Sequence, residues 1–187
     1  MVLRIISGVF QGRHLQSPKG SQTRPTKNSL REAVFNICQF YIEKAFFLDL
    51  FAGSGAMGFE ALSRGASFTT FIEKDKLAAR AIQENRKALK VEEQSQVLMM
   101  DFRRALEKLG EQGDKYNIVY IDPPYGAFHT EEIIDLLHKQ DILHLDAQVF
   151  LEEESKEKQT SLEIPAFEEK KSRKWGKTHL RQFSFNG

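Results

Sequence analysis

At 187 residues, 41% of them apolar and 28% charged, the chain has the composition of one globular unit with a sizeable core. No run approaches the roughly 18 apolar residues of a membrane span, residues 1–8 lack the apolar core of a secretory signal, and the single cysteine, Cys38, excludes an internal disulfide and a Cys-cluster zinc site. A cytoplasmic protein with no membrane association and no metal is therefore expected, and the net charge of +1 excludes an overall polycation.

In chain order, residues 3–8 (LRIISG) and 12–18 (GRHLQSP), split by VFQ, read as a short β pair, and TRPTKN marks a turn. Residues 29–41 place Leu30, Val34, Ile37, Cys38 and Tyr41 on one helical face, with Ser29 and Glu32 spaced as a capping box. From Ala45 the pattern alternates. AFFLDLF reads as a strand and AMGFEALSRG as a helix; SFTTFIE is β-rich, and in KLAARAIQENRKALK residues Leu77, Ala78, Ala81, Ile82 and Leu89 recur at helical spacing. QVLMMD precedes the helical FRRALEKLG, NIVYID precedes a proline turn and the helical TEEIIDLLHKQ, and AQVFLEEES reads as a further strand. The tail, residues 167–185, looks like a hairpin turning near Gly176.

Alternating strands and helices predict an α/β fold, Rossmann-like, with a mostly parallel central sheet covered by helices on both faces. Residues 1–44, too few to bury a core alone, form a small β-hairpin/helix extension to a domain over 45–187, the whole being one compact unit. Charge follows the same division. Residues 1–44 carry seven Lys/Arg against two Glu (+5), residues 45–165 carry −8, and residues 166–187 carry six Lys/Arg against two Glu (+4). Basic ends on an acidic centre suit a polyanion held at the domain edges, and equally suit two solvated faces.

Ligands of such sheets sit at the strand C-terminal ends, near the switch point. There Asp49, Glu73, Asp101 and Asp122 close four successive strands, with Gly53, Gly55 and Gly58 in a G-x-G-x-x-G frame after the first. A pyrophosphate would be repelled by Asp49. S-adenosylmethionine, with a cationic sulfonium and ammonium and no phosphate, fits better. Asp49 is expected to attract its methionine end directly or through water, Gly53 and Gly55 to allow close approach, Glu73 to accept the ribose hydroxyls, and Asp101 to accept the adenine amino group with Phe102 in apolar contact. At each acid the competing reading is a helix cap.

Asp122-Pro123-Pro124-Tyr125 makes the reading specific. An exocyclic amine on a base is a poor nucleophile because its lone pair is delocalised into the ring. Asp122 and a carbonyl of the Pro-Pro turn can accept its hydrogens and aim the lone pair, the prolines contribute no competing N–H, and Tyr125 can stack on an unstacked base. The competing reading is a rigid turn after a strand. His14 reads as an ordinary surface histidine, and His129, His138 and His144 lack metal-ligand spacing.

Asp-Pro-Pro-Tyr after a Gly-x-Gly loop resembles the amino-methyltransferases of nucleic acids. Leu3-Arg-Ile-Ile-Ser-Gly8, Gly12-Arg13, Thr23-Arg-Pro-Thr26, Arg31-Glu32, Phe35-Asn36, residues 48–58, residues 60–65, Glu152 and Trp175-Gly-Lys-Thr178 together resemble the RsmD-like family over nearly the full length. The resemblance implies a class I S-adenosylmethionine-dependent methyltransferase acting on the 2-amino group of one guanine in bacterial 16S ribosomal RNA, within an assembled or assembling small subunit, and expected to be a monomer. It implies a donor site of Asp49, Phe51, Ala52, Gly53, Ser54, Gly55, Glu73, Lys74, Asp101 and Phe102, with Asp122 to Tyr125 at the target base and Arg24 and Thr26 near the active face. Among the basic residues, Arg4, Arg13, Lys19, Arg24, Lys27 and Arg31 are candidate phosphate contacts, and Lys170, Lys171, Arg173 and Lys174 suit either a phosphate grip or a solvated edge strand. Asn28 and Ser29 stand where the family usually has Asp and Arg, and Trp175 where it has Tyr. The alternatives weighed are a DNA adenine methyltransferase, an NAD-dependent dehydrogenase and a non-catalytic RNA-binding module.

Overall fold

The computed structural model describes residues 3–17, 28–124, 130–154 and 164–187. Residues 23–27 of the expected TRPTKN turn, with Arg24, Thr26 and Lys27, lie outside them, as do Lys19, Tyr125 and His129. The expected strands form as β1 (Phe46–Leu50), β2 (Phe68–Ile72), β3 (Ser95–Leu98), β4 (Tyr116–Ile121), β5 (Leu143–Glu154), β6 (Phe167–Trp175) and β7 (Thr178–Phe185). They make one sheet in the order β3-β2-β1-β4-β5-β7-β6, with β1 to β5 parallel and β7 antiparallel to both β5 and β6. This is the class I methyltransferase arrangement, and its order reverses between β1 and β4.

The helices are α1 (Asn28–Cys38), α2 (Ala56–Ser63), α3 (Lys76–Leu89), α4 (Phe102–Gln112) and α5 (Thr130–Lys139). One face of the sheet offers Leu48, Leu50, Val119, Ile121 and Val149 to Phe102, Leu106, Ile133 and Leu137 of α4 and α5. On the other, Phe47, Tyr120, Phe150 and Leu180 meet α1 and α2 through Val34, Phe35, Cys38, Met57 and Ala61. Strand alternation therefore sends Asp49 to the same side as Phe47, toward α2.

All eight residues of α2 are buried, polar ones included. The reason is the N-terminal segment, which covers the helix's outer side. Glu60 accepts from Ile6 N (2.8 Å) and Ser7 N (3.0 Å), and Ser63 Oγ accepts from Phe10 N (2.9 Å). Leu3, Ile5 and Leu15 add apolar contact with Phe59 and Ile82. The expected β pair is present in short form: Arg4 bridges His14, with Ile5 N donating to Arg13 O (3.0 Å) and Leu15 N to Leu3 O (2.9 Å), while Ile6, Ser7 and Phe10 turn their N–H groups to α2. Two helical faces also differ from expectation. In α1 the buried set is Leu30, Arg31, Val34, Phe35 and Cys38, while Tyr41 lies beyond the helix; in α3 Leu77 is exposed and Ala79 and Asn85 are buried.

Candidate active site

The crevice opens at the C-terminal ends of β1 and β4. Leaving β1, the chain takes left-handed backbone at Phe51 (φ 67), Gly53 (φ 53) and Gly55 (φ 75) before α2 starts. For glycines this is unstrained; for Phe51 it is costly, and residues held in such conformations cluster at functional sites. The Phe51 ring meets the Phe102 ring at 5.1 Å, so an aromatic pair spans the ends of β1 and α4. Gly58 serves packing, because a Cβ there would sit 2.2 Å from Phe71 Cε1 and 2.6 Å from Thr69 Cγ2.

Glu73, following β2, accepts from Gly53 N (2.8 Å) and from Asp75 N (2.7 Å). It thus braces the glycine turn as well as facing the crevice, and each oxygen keeps a lone pair for a ligand hydroxyl. Ala52 is buried beneath the turn, its N–H donating to Ile72 O, while Ser54 is partly exposed and Lys74 is exposed. Asp101 is the N-cap of α4 and accepts from Arg103 N (3.0 Å), so capping and ligand roles share one carboxylate.

Asp49 is buried, and its Oδ2 accepts from Gly58 N at 2.9 Å. Burial pushes its carboxyl up to about 8; the Gly58 bond opposes the rise, and the charges of Asp122 and Glu73 add to it. Asp122 follows β4, with its N–H toward Leu50 O at 3.4 Å, and burial raises its carboxyl to about 6. Three acids thus share one field, and among the described residues none of them has an ion-pair partner. A sheltered acidic crevice of this kind favours a cationic ligand over a phosphate. Pro123 and Pro124 continue the turn, the first partly buried and the second exposed.

Among the described residues, the N-terminal basic candidates do not converge on this crevice. Arg31, expected as a phosphate contact, is instead completely buried, its Nη2 donating to Arg4 O (2.7 Å) and Asn28 Oδ1 (3.1 Å), with Nε 3.9 Å from Glu60. It cannot reach a phosphate. Arg13 donates to Ala88 O at the C-terminal end of α3, the opposite end of the sheet from the crevice. Arg4 is exposed beside the N-terminal bridge. Sequence reasoning missed the Arg31–Glu60–Arg64 cluster, in which Arg64 Nε meets Glu60 Oε1 at 2.8 Å; the Glu60/Arg64 i,i+4 spacing was its visible signal.

Comparison with known proteins points the same way as this geometry. A family model described as Conserved hypothetical protein 95 matches residues 3–184. The protein named ribosomal RNA small subunit methyltransferase D in Escherichia coli (strain K12) is 38% identical over 152 residues, covering 81% of this chain and 75% of that protein. Its namesake in Haemophilus influenzae is 37% identical over 153 residues, covering 81% and 79%. A solved Escherichia coli chain, yhhF, superposes with a TM-score of 0.88 at 33% identity, covering 100% of this chain and 99% of that one.

Proposed function

Because the chain belongs to the Conserved hypothetical protein 95 family, to which the ribosomal RNA small subunit methyltransferase D proteins belong, we propose that it is an rRNA methyltransferase using S-adenosylmethionine and that its target is the exocyclic 2-amino group of a guanine in small-subunit ribosomal RNA. The observation that carries the chemistry is Asp122, sheltered at the end of β4, beside the switch point and followed by two prolines.

The donor supplies an electrophilic methyl on a cationic sulfur. The residues of the crevice fit such a group, since Asp49, Glu73 and Asp122 form an acidic field with no internal counter-ion among the described residues. Glu73 and Asp101 offer acceptors to the nucleoside, and the partly exposed Phe51, backed by buried Phe102, offers an apolar wall. Ionised Asp122 accepts one amine hydrogen and so holds the nitrogen with its lone pair toward the methyl; positioning and charge stabilisation of this kind supply much of a displacement barrier. As the N–C bond forms and the S–C bond breaks, the nitrogen loses a proton, for which Asp122 is the nearest proposed acceptor. Pro123 and Pro124 present no N–H to compete. Tyr125 is assigned to stack on the unstacked base, a contact worth roughly 1–3 kcal/mol.

The test is methyl transfer from radiolabelled S-adenosylmethionine to unmethylated bacterial small ribosomal subunits, with duplex DNA alongside and nuclease digestion to identify the nucleoside. Label in 2-methylguanosine is expected. Label confined to DNA adenine would keep the site chemistry and overturn the RNA assignment.

A further inference from the structure

The hairpin β6–β7 forms the sheet edge farthest from β3, and its charge is ordered along its length. Glu168 and Glu169 lie near the start of β6 and are occupied, Glu168 by Lys170 at 2.6 Å and Glu169 by Arg181 at 2.9 Å. Residues 170–177, KKSRKWGK, then carry five Lys/Arg and no acid. Lys171, Arg173, Lys174 and Lys177 are exposed, and among the described residues none of them is in an ion pair.

Register places this charge at the height of the active site. Ile121 pairs with Leu151, Leu151 with Arg181 and Arg181 with Ser172, so the next row up begins at Asp122 and runs through Glu152 and Leu180 to Arg173. Three strand spacings of about 4.8 Å put Arg173 roughly 14 Å along the rim from Asp122. Lys174 and Lys177 rise above that row around a tight two-residue turn at Gly176 (φ 61). On the intervening strand Glu152 is buried and Glu153 faces Arg181 at 3.6 Å; Glu154 is exposed, outnumbered by the basic residues beside it. An edge strand protected against aggregation needs charge, but not charge sorted so that the unpaired cations gather at the catalytic end.

We infer that the site end of the β6–β7 hairpin is a phosphodiester-binding rim that holds the RNA backbone a few nucleotides from the base seated at Asp122. The donor-facing acids lie on the β1–β2 side of the switch point, so the nucleic acid enters over β5, β7 and β6. This rests on the RNA methyltransferase reading above.

The experiment compares the wild type with Lys171→Gln/Arg173→Gln/Lys177→Gln, and with Lys44→Gln/Lys87→Gln/Lys90→Gln, which removes equal charge at the opposite end of the sheet. Binding of unmethylated small ribosomal subunits is measured from low to moderate salt, with methyl transfer in parallel. The rim variant is expected to raise KM about tenfold at moderate salt and to flatten the salt dependence of binding by about 2 in log–log slope, since each single-strand phosphate contact contributes about 0.7. Its kcat and its affinity for S-adenosylmethionine should stay at the wild-type value, and the control variant should match the wild type. Equal losses in both variants, or an unchanged slope in the rim variant, would overturn the inference. A wild type that transfers no methyl yet binds subunits with a slope that the rim variant loses would sink the enzymatic reading and leave the rim standing.

Discussion

Asp122 combines the properties that an acceptor for an amine requires: a sheltered carboxylate, a fixed position after β4, and a following turn without N–H donors. Asp122→Ala is expected to lower turnover on small subunits by about 10²-fold or more, in line with the loss of one oriented transition-state hydrogen bond. Donor affinity, measured by calorimetry, should fall by no more than a few-fold, because Asp122 supplies one charge of the acidic field while Asp49, Glu73, Asp101 and the glycine turn are untouched. Wild-type turnover in this variant would remove the assigned acceptor. Buried charge elsewhere acts on stability instead. Glu60 is fully buried and receives two N–H groups of the N-terminal segment, Arg64, and the field of Arg31. Glu60→Ala would strand the buried Arg31 guanidinium, and a loss of about 3–5 kcal/mol in denaturant unfolding is expected. A loss under 1 kcal/mol would mean that water reaches the cluster.

At the scale of the element, the glycine turn and α2 set the approach of helix to sheet. Gly58→Ala would force Cβ to 2.2 Å from the Phe71 ring, and α2 would have to shift. About 1–3 kcal/mol of stability should be lost by overpacking, together with donor affinity, since Gly58 N also holds Asp49. Gly12→Ala provides the contrast: its Cβ meets nothing within 4 Å, and only the left-handed backbone (φ 79) is penalised, by about 1 kcal/mol with no change in donor binding. These elements were legible in the sequence where a local pattern decided them. β1 to β5 stand out as apolar runs between helical periods, and Gly176 marks the tail hairpin. The N-terminal β pair is legible as well, but its docking is not: Ile6, Ser7 and Phe10 donate to Glu60 and Ser63, more than fifty residues away, which no local pattern reveals. The burial of Arg31 is hidden for the same reason, since a basic residue in a basic segment looks solvated until its buried acid on α2 is known. The acids of the crevice were legible as a set because each follows or closes a strand. Their second roles were not, since Asp49 holding Gly58 and Glu73 bracing Gly53 depend on how the loop folds back.

For the whole molecule, these acids couple stability, pH and ligand charge. Asp49 and Asp122 have folded values of about 8 and about 6, both above the usual carboxylate range through burial. A carboxyl raised on folding keeps its proton in the native state after the unfolded chain has released it, so the native state binds more protons between about pH 4 and pH 8. The stability they contribute is fully present below about pH 4 and is lost as pH rises through about 6 and then about 8. A cationic donor reverses the balance by favouring the ionised forms. Its binding near pH 7 should therefore release protons, and its advantage over the demethylated product, which lacks the sulfonium charge, should grow with pH. Asp49→Asn keeps an acceptor for Gly58 N and removes the titration. The gain in Tm of this variant over the wild type should widen from pH 5 to pH 9, and calorimetry in buffers of different ionisation enthalpy should find fewer protons released per donor bound. A pH-independent Tm difference with undiminished proton release would place the titrating group elsewhere, and the acidic crevice would then act on its ligand by shape rather than by charge.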